Sequence, residues 1–232
     1  MFHYRFTKNE LDKLLDSMIE LSDINPEMSL EELADQVCDN ISVTGYTSAD
    51  ICESLLYIIE NDNIFEIKDG VLKHCFISDI KEVQIPSNVI SIGDNAFIEC
   101  NTLESIEIPS SVTSIGDGAF LDCTSLKNIT IPENVISIGN HAFRKCTSLT
   151  SIEIPNSVTS IGEYAFYRCS NLTNLTIGKG VRSIGDNAFT RCDNLVSINY
   201  KGTIEQWKSI SKSLYWNYRI GTYTIHCTNG DI

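Results

Sequence analysis

Apolar residues recur along this chain in two different rhythms, and the change of rhythm divides it. Over residues 1–80 the rhythm is helical. Leu11, Leu14, Leu15, Met18 and Ile19 stand at i, i+3, i+4, i+7 and i+8, which predicts an amphipathic helix over residues 8–22 capped by Thr7. Ser29 and Glu32 have capping-box spacing, ahead of a second helix with Leu30, Leu33, Ala34, Val37, Cys38 and Ile41 on one face. Thr47 and Asp50 open a third, with Ile51, Cys52, Leu55, Ile58 and Ile59 inward. Its expected exposed positions are Ser48, Asp50, Glu53, Ser54, Tyr57 and Glu60. Residues 64–67 and 71–76, joined by Lys68-Asp69-Gly70, read as a hairpin with an Asp-Gly turn.

From residue 80 onward the rhythm is 23 residues long. Cys100, Cys123, Cys146, Cys169 and Cys192 are equally spaced, and neither a disulfide framework nor a zinc site requires equal spacing. Phe97, Phe120, Phe143, Phe166 and Phe189 keep the same period, each preceded by Ala. So do Gly93, Gly116, Gly139, Gly162 and Gly185, each preceded by Ile. The unit reads L-x-x-I-x-I-P-x-x-V-x-x-I-G-x-x-A-F-x-x-C-x-x. Its I-x-I places two apolar residues on one strand face, and the proline ends that strand because it has no donor. V-x-x-I-G predicts a second short extended piece with a glycine turn, and A-F-x-x-C-x-x-L has helical or 3₁₀ spacing. One such coil cannot bury its own apolar side. Stacked coils can, with parallel strands at about 4.8 Å per rung and a column of Phe, of Cys and of Ile/Leu.

These motifs resemble the BspA-type leucine-rich repeats, the treponemal 23-residue subclass. The likeness covers about residues 79–200, as five full units and a partial leading one, with Gly178 where the other units have Pro. It implies an α+β chain: a leucine-rich-repeat solenoid preceded by a small three-helix and hairpin domain. The expected boundaries are 1–78, 79–200 and a C-terminal cap at 201–232, where Trp207, Ile210, Leu214 and Trp216 have the bulk to cover the last coil. The order of the first domain resembles a winged helix in topology alone.

Charge bears on that last likeness. The chain carries 17 Lys and Arg against 31 Asp and Glu, net −14, and residues 1–80 hold 17 of the acids with 5 bases. A DNA reader needs basic and amide side chains. The third helix offers none at its exposed positions, and the hairpin offers only Lys68 and Lys73. DNA is therefore a disfavoured partner. The longest apolar runs fall well short of a membrane span of about 18 residues. The opening MFHYRFTKNELDKLL lacks the features of a secretory leader, so the expected location is cytoplasmic, or secreted or at the surface if a leader has been lost.

Catalytic chemistry finds little support. His3, His74, His141 and His226 are scattered, there is no C-x-x-C, G-x-S-x-G or G-x-G-x-x-G, and the column cysteines read as small buried hydrophobes. No cofactor or metal is expected, and the chain is read as a non-enzyme. What remains is surface. The strand face of such a solenoid is its usual recognition surface, and the residues expected on it are Glu104, Ser105, Glu107, Lys127, Asn128, Thr130, Thr150, Ser151, Glu153, Thr173, Asn174 and Thr176. Arg144, Lys145, Arg168 and Arg191 form a secondary basic stripe beside the Cys column, fit for an acidic partner and for self-association through the acidic first domain. The leading expectation is a protein-protein interaction module with a protein partner. The alternatives are a winged-helix regulator with a sensing solenoid and, given export, a cell-surface adhesion protein.

Overall fold

The structure, a computed structural model, describes residues 5–25, 27–38, 47–61 and 64–232. The chain divides into two compact units, residues 1–66 with 74–80 and residues 67–73 with 81–232.

The first unit contains α1 (Lys8–Ile24), α2 (Leu30–Cys38) and α3 (Ser48–Asn61). Each begins with a reciprocal cap. The Glu10 amide donates to Thr7 Oγ1 while Glu10 Oε2 accepts from the Thr7 amide. Ser29 with Glu32, and Thr47 with Asp50, repeat the arrangement. Leu11, Leu14, Met18, Leu33, Ala34, Val37, Cys38, Ile51, Cys52, Leu55 and Ile58 make the core, closed by Phe6, Phe76 and Ile77. Phe6 and Ile77 form a parallel bridge.

Three expected positions differ. Ile19 is 61% exposed, because it lies about 100° around α1 from buried Met18. Leu30, the first residue of α2, stays 38% exposed. Ser54 is buried and not outward, its hydroxyl donating to the Asp50 carbonyl one turn back. Ile41, His3, and the side chains of Tyr57 and Glu60 lie outside the described residues.

The second unit is a solenoid. Its short Ser-Ile strands pair in one continuous parallel ladder. The first rung joins Val71 and Leu72 to Ser91 and Ile92, and the ladder then runs through Ser114, Ser137, Ser160 and Ser183 to Ser211. The expected hairpin exists as β1 (Phe65–Lys68) and β2 (Val71–Cys75), but its tip is not a free wing. The Gly70 carbonyl accepts from the Ile90 and Ser91 amides, so residues 67–73 start the solenoid ladder.

The longer strands, at Glu82–Gln84, Ser105–Glu107, Asn128–Ile129, Ser151–Ile154, Asn174–Ile177, Ser197–Tyr200 and Thr224–Cys227, give seven rungs. They form two sheets, divided after Asn128–Ile129. Between strands the chain runs in i→i+3 turns: each column Cys amide donates to the Phe carbonyl three residues back. Val181 donates to Gly178 just as Val158 donates to Pro155, so the unit lacking proline makes the same turn. The leading unit from Ile80 makes a complete coil, with Val83, Ile85, Val89, Ile92, Phe97 and Cys100 all buried.

Stacking follows the columns. Phe97, Phe120, Phe143, Phe166 and Phe189 lie face to face at 5.1–5.2 Å, within 9° of parallel. Each column thiol also ties two coils: Sγ of Cys123, Cys146, Cys169 and Cys192 donates to the Phe carbonyl of the preceding coil at 3.0–3.3 Å. Burial raises the Cys146, Cys169 and Cys192 thiols, Cys169 to about 12, and all the cysteines are unbridged.

The column glycines do not serve as turns with positive φ. The positive angles fall instead on Asn95, Gly118, His141, Tyr164 and Asn187, and on Glu99, Asp122, Lys145, Arg168 and Arg191. A Cβ on Gly139 would lie 2.6 Å from the Gly116 carbonyl carbon, so glycine is there to let coils approach.

The array ends by spoiling its own pattern. After Ser197–Tyr200 comes α4 (Ile204–Ser209), opened by a Thr203–Gln206 capping box. Lys212 then pairs in register with Ile184, replacing an apolar column residue by an amine. Its Nζ donates to the Trp207 and Ile210 carbonyls. Trp207, Ile210 and Trp216 are buried as expected of a cap, whereas Leu214 is 82% exposed.

Candidate functional site

The inward columns of each coil are uniform because packing requires it, and three surfaces remain.

The long-strand face carries the twelve residues expected there. All lie outward of the buried Ile and Leu positions. Two of the acids are engaged between coils. Glu104 pairs with Lys127, whose ammonium holds its carboxyl below the usual range, and Glu153 pairs with Lys201. A depression of about 690 Å³ opens at the leading end, lined by Glu82, Gln84, Ser105, Glu107 and Thr130 with Val83, Ile106 and Ile108 at its floor. Lys127, Asn128, Thr130, Thr150, Ser151 and Glu153 continue the exposed polar face.

The short-strand side carries a second depression, of about 510 Å³, along Ser137, Ser160, Ser183 and Ser211 and ending at Lys212. Its other wall is an amide ladder. The Asp117 amide donates to Asp94 Oδ1, Asn140 to Asp117 and Glu163 to Asn140, at 2.7–2.8 Å. Sequence reasoning passed over both columns, although Ser91, Ser114, Ser137, Ser160 and Ser183 keep the 23-residue period. Ser91 and Ser114 hydroxyls bond each other at 2.7 Å. The Asp/Asn column is structural: the Oδ1 atoms of Asp94, Asp117 and Asn140 are spent on the neighbouring coil.

The turn side holds the basic stripe, with one change of register. Lys145, Arg168 and Arg191 share a column with Glu99 and Asp122, all with φ near 60°. Arg219 joins it, since the Arg191 amide donates to Tyr218 as the Arg168 amide donates to Thr190. Arg144 sits one position earlier, in a column with Leu121, Tyr167 and Thr190, so the expected stripe spans two columns and not one.

The stripe is also aromatic, which the sequence reading missed. Tyr167 lies between the Arg144 and Arg168 guanidiniums at 5.4 and 5.3 Å. His141 stacks on Tyr164 at 5.1 Å, and Arg219 lies over Tyr218 at 5.4 Å. Burial first, then the Arg144 charge, holds the His141 ring below its usual pKa. Lys145 pairs with Asp122 at 3.0 Å. Among the described residues, no carboxylate pairs with Arg144, Arg168, Arg191 or Arg219.

His74 stands edge-on to Phe76, and His226 pairs with Asp231 at 2.9 Å. Among the described residues no three His, Cys, Asp or Glu side chains are grouped to hold a metal, and no helix is long and apolar enough to cross a membrane.

Comparison with known proteins agrees with this architecture. The family model for BspA type leucine rich repeat regions matches residues 44–143 and 113–232, in six copies. A leucine rich cell surface protein of Faecalibacterium prausnitzii is 34% identical over 63% of this chain, with a TM-score of 0.59. The leucine-rich repeat protein of T. pallidum is 31% identical over 59% of this chain and 68% of its own, TM-score 0.56. One from Bacteroides ovatus is 36% identical over 56% of this chain and 34% of its own, TM-score 0.52. The chain spans 40% of the length of the Faecalibacterium protein. No curated protein matches it.

Proposed function

The chain belongs to the BspA-type leucine-rich repeat family, and from that premise we propose that it is a non-enzymatic protein-binding solenoid whose long-strand face meets a protein partner. One observation carries this reading. The inward columns repeat from coil to coil, whereas the outward ones vary: Lys81, Glu104, Lys127, Thr150, Thr173 and Val196 occupy one column. Uniform packing beneath a changing surface is how repeat arrays build extended recognition faces.

The exposed carboxylates of Glu82 and Glu107 flank the leading depression, with Gln84, Ser105 and Thr130 as adaptable hydrogen-bonding groups. A partner with Lys or Arg at its contact fits that end. The Faecalibacterium relative is described as a cell surface protein, which supports surface display as the setting in which this face works.

The test is capture from the source organism with the full chain, comparing Glu107→Lys with Arg168→Glu. Glu107 is the better probe because Glu104 and Glu153 already bridge coils. A partner retained by the intact chain and by Arg168→Glu, but lost with Glu107→Lys, supports the strand face. A partner indifferent to Glu107→Lys refutes that placement.

A further inference from the structure

We propose that the turn side of the solenoid is a second docking surface, and that its occupant is the acidic helical unit of another copy of this chain. The inference is independent of what the long-strand face binds. It starts from an imbalance. In a chain of net charge −14, four of the six arginines gather on one side of the solenoid, and among the described residues no carboxylate pairs with them. Free guanidiniums are hard to leave idle where acids outnumber bases 31 to 17.

Arg168, Arg191 and Arg219 stand on three consecutive coils of one column. Coils here repeat at about 5 Å, the ring spacing of the Phe column being 5.1–5.2 Å, so the three side chains root along ~10 Å. Tyr167 and Tyr218 lie under two of these guanidiniums. Tyr215 and Tyr218 are half-exposed, and Leu214 projects beside them at 82% exposure. Arginine and tyrosine together are the residues that most often dominate protein interfaces.

The same chain carries the complement. On α1, Asp12, Asp16 and Glu20 are exposed and spaced i, i+4, i+8, which sets them on one helix stripe along ~12 Å. Ile19, 61% exposed, stands beside that stripe as an apolar counterpart to Leu214 and the tyrosines. Three carboxylates over ~12 Å against three guanidiniums over ~10 Å differ by no more than an arginine side chain absorbs. Each pairing would be charge-assisted and open to bidentate geometry. The net repulsion between two acidic copies is screened beyond ~8 Å at physiological salt, while contact pairs are not.

Sedimentation velocity of the full chain over a concentration series near physiological salt tests this. The chain is expected to pass from monomer to dimer or larger as concentration rises. Arg168→Glu with Arg191→Glu should weaken association at least ~10-fold. That variant keeps the fold, because Glu99 and Asp122 already occupy the same column at φ 59° and 60°. Asp12→Arg, Asp16→Arg and Glu20→Arg together should weaken it as much. A chain carrying both sets should associate again, since the charges are then exchanged and still complementary. A wild-type monomer at every concentration, an assembly indifferent to either set, or no recovery when the sets are combined would each overturn the proposal.

Discussion

The helical unit and the solenoid hold themselves together in different directions. In the helical unit each helix is stabilised first along itself, by a reciprocal cap at its start, and then buries one stripe in a shared core of unlike residues. In the solenoid a coil has almost no interior of its own. Its Phe rings stack on Phe rings and its Ile residues pair with Ile one coil away, its Cys thiols donate to the Phe carbonyl of the preceding coil, and its Asp/Asn side-chain oxygens accept from the amide of the next coil. The first design tolerates variety at each position. The second demands repetition, because every side chain must fit both the coil before it and the coil after it. Polar function is consequently free to vary only on the solenoid's outward columns.

The largest expected effect tests that directional difference. Phe143 is fully buried between Phe120 and Phe166. Phe143→Ala should cost about 3–5 kcal/mol by chemical denaturation, and Leu55→Ala in the helical core about 2–5. Hydrogen exchange should separate the two. Phe143→Ala should lose protection in coils on both sides of it, whereas Leu55→Ala should lose it in α2 and α3. Protection lost only within the coil of Phe143 would break the comparison.

A smaller effect sharpens it. Gly139→Ala should cost about 1–3 kcal/mol, since the new Cβ would press on the preceding coil's backbone at 2.6–2.7 Å. Gly221 lies outside the repeating column, and its nearest neighbour would be the Asp193 carbonyl at 3.7 Å. Gly221→Ala should fall within about 0.5 kcal/mol of neutral. Equal costs at the two positions in thermal unfolding would show that the glycine column does not set coil spacing.

Much of this was legible in the sequence because repetition amplifies weak signals. One Ile-x-Ile is ambiguous, but Cys, Phe, Leu and Gly at a fixed period leave one architecture. The caps were legible because Ser29-x-x-Glu32 and its counterparts are local chemistry. Errors arose where meaning depends on a neighbouring coil. The column glycines suggested turns, yet what they avoid is the backbone one coil away. Arg144 and Arg168 share a residue type but not a column, and only the ladder fixes the register. The Ser and Asp/Asn columns had the period and were passed over, because nothing local says that a side chain caps the amide 23 residues on. The tyrosines beside the arginines escaped for the same reason: Tyr164 and Tyr167 are near in sequence, but Tyr218 joins them through the cap coil.

Opposite ends of the pH scale should divide the two regions, and this effect is the smallest because it vanishes near neutrality. In the helical unit, Ser29's amide and hydroxyl hold the Glu32 carboxyl below its usual range, and Thr47's hydroxyl and amide do the same for Asp50. Their folded pKa values lie below the unfolded ones, so their contribution is complete above about pH 4.5 and is lost as pH falls through the depressed values. In the solenoid the sign reverses. Burial raises the Cys146, Cys169 and Cys192 thiols, so the unfolded chain releases protons near pH 9 that the folded chain keeps. Solenoid stability is then complete below about pH 9 and falls as pH rises above it. Glu32→Gln keeps a cap acceptor without a titrating group and should flatten the acid loss of helicity. Cys169→Ser keeps a donor for the Phe143 carbonyl and should shallow the alkaline loss. Circular dichroism across both limbs reads the outcome. An alkaline limb unchanged by Cys169→Ser would mean that the thiol column is not the proton reservoir its burial implies.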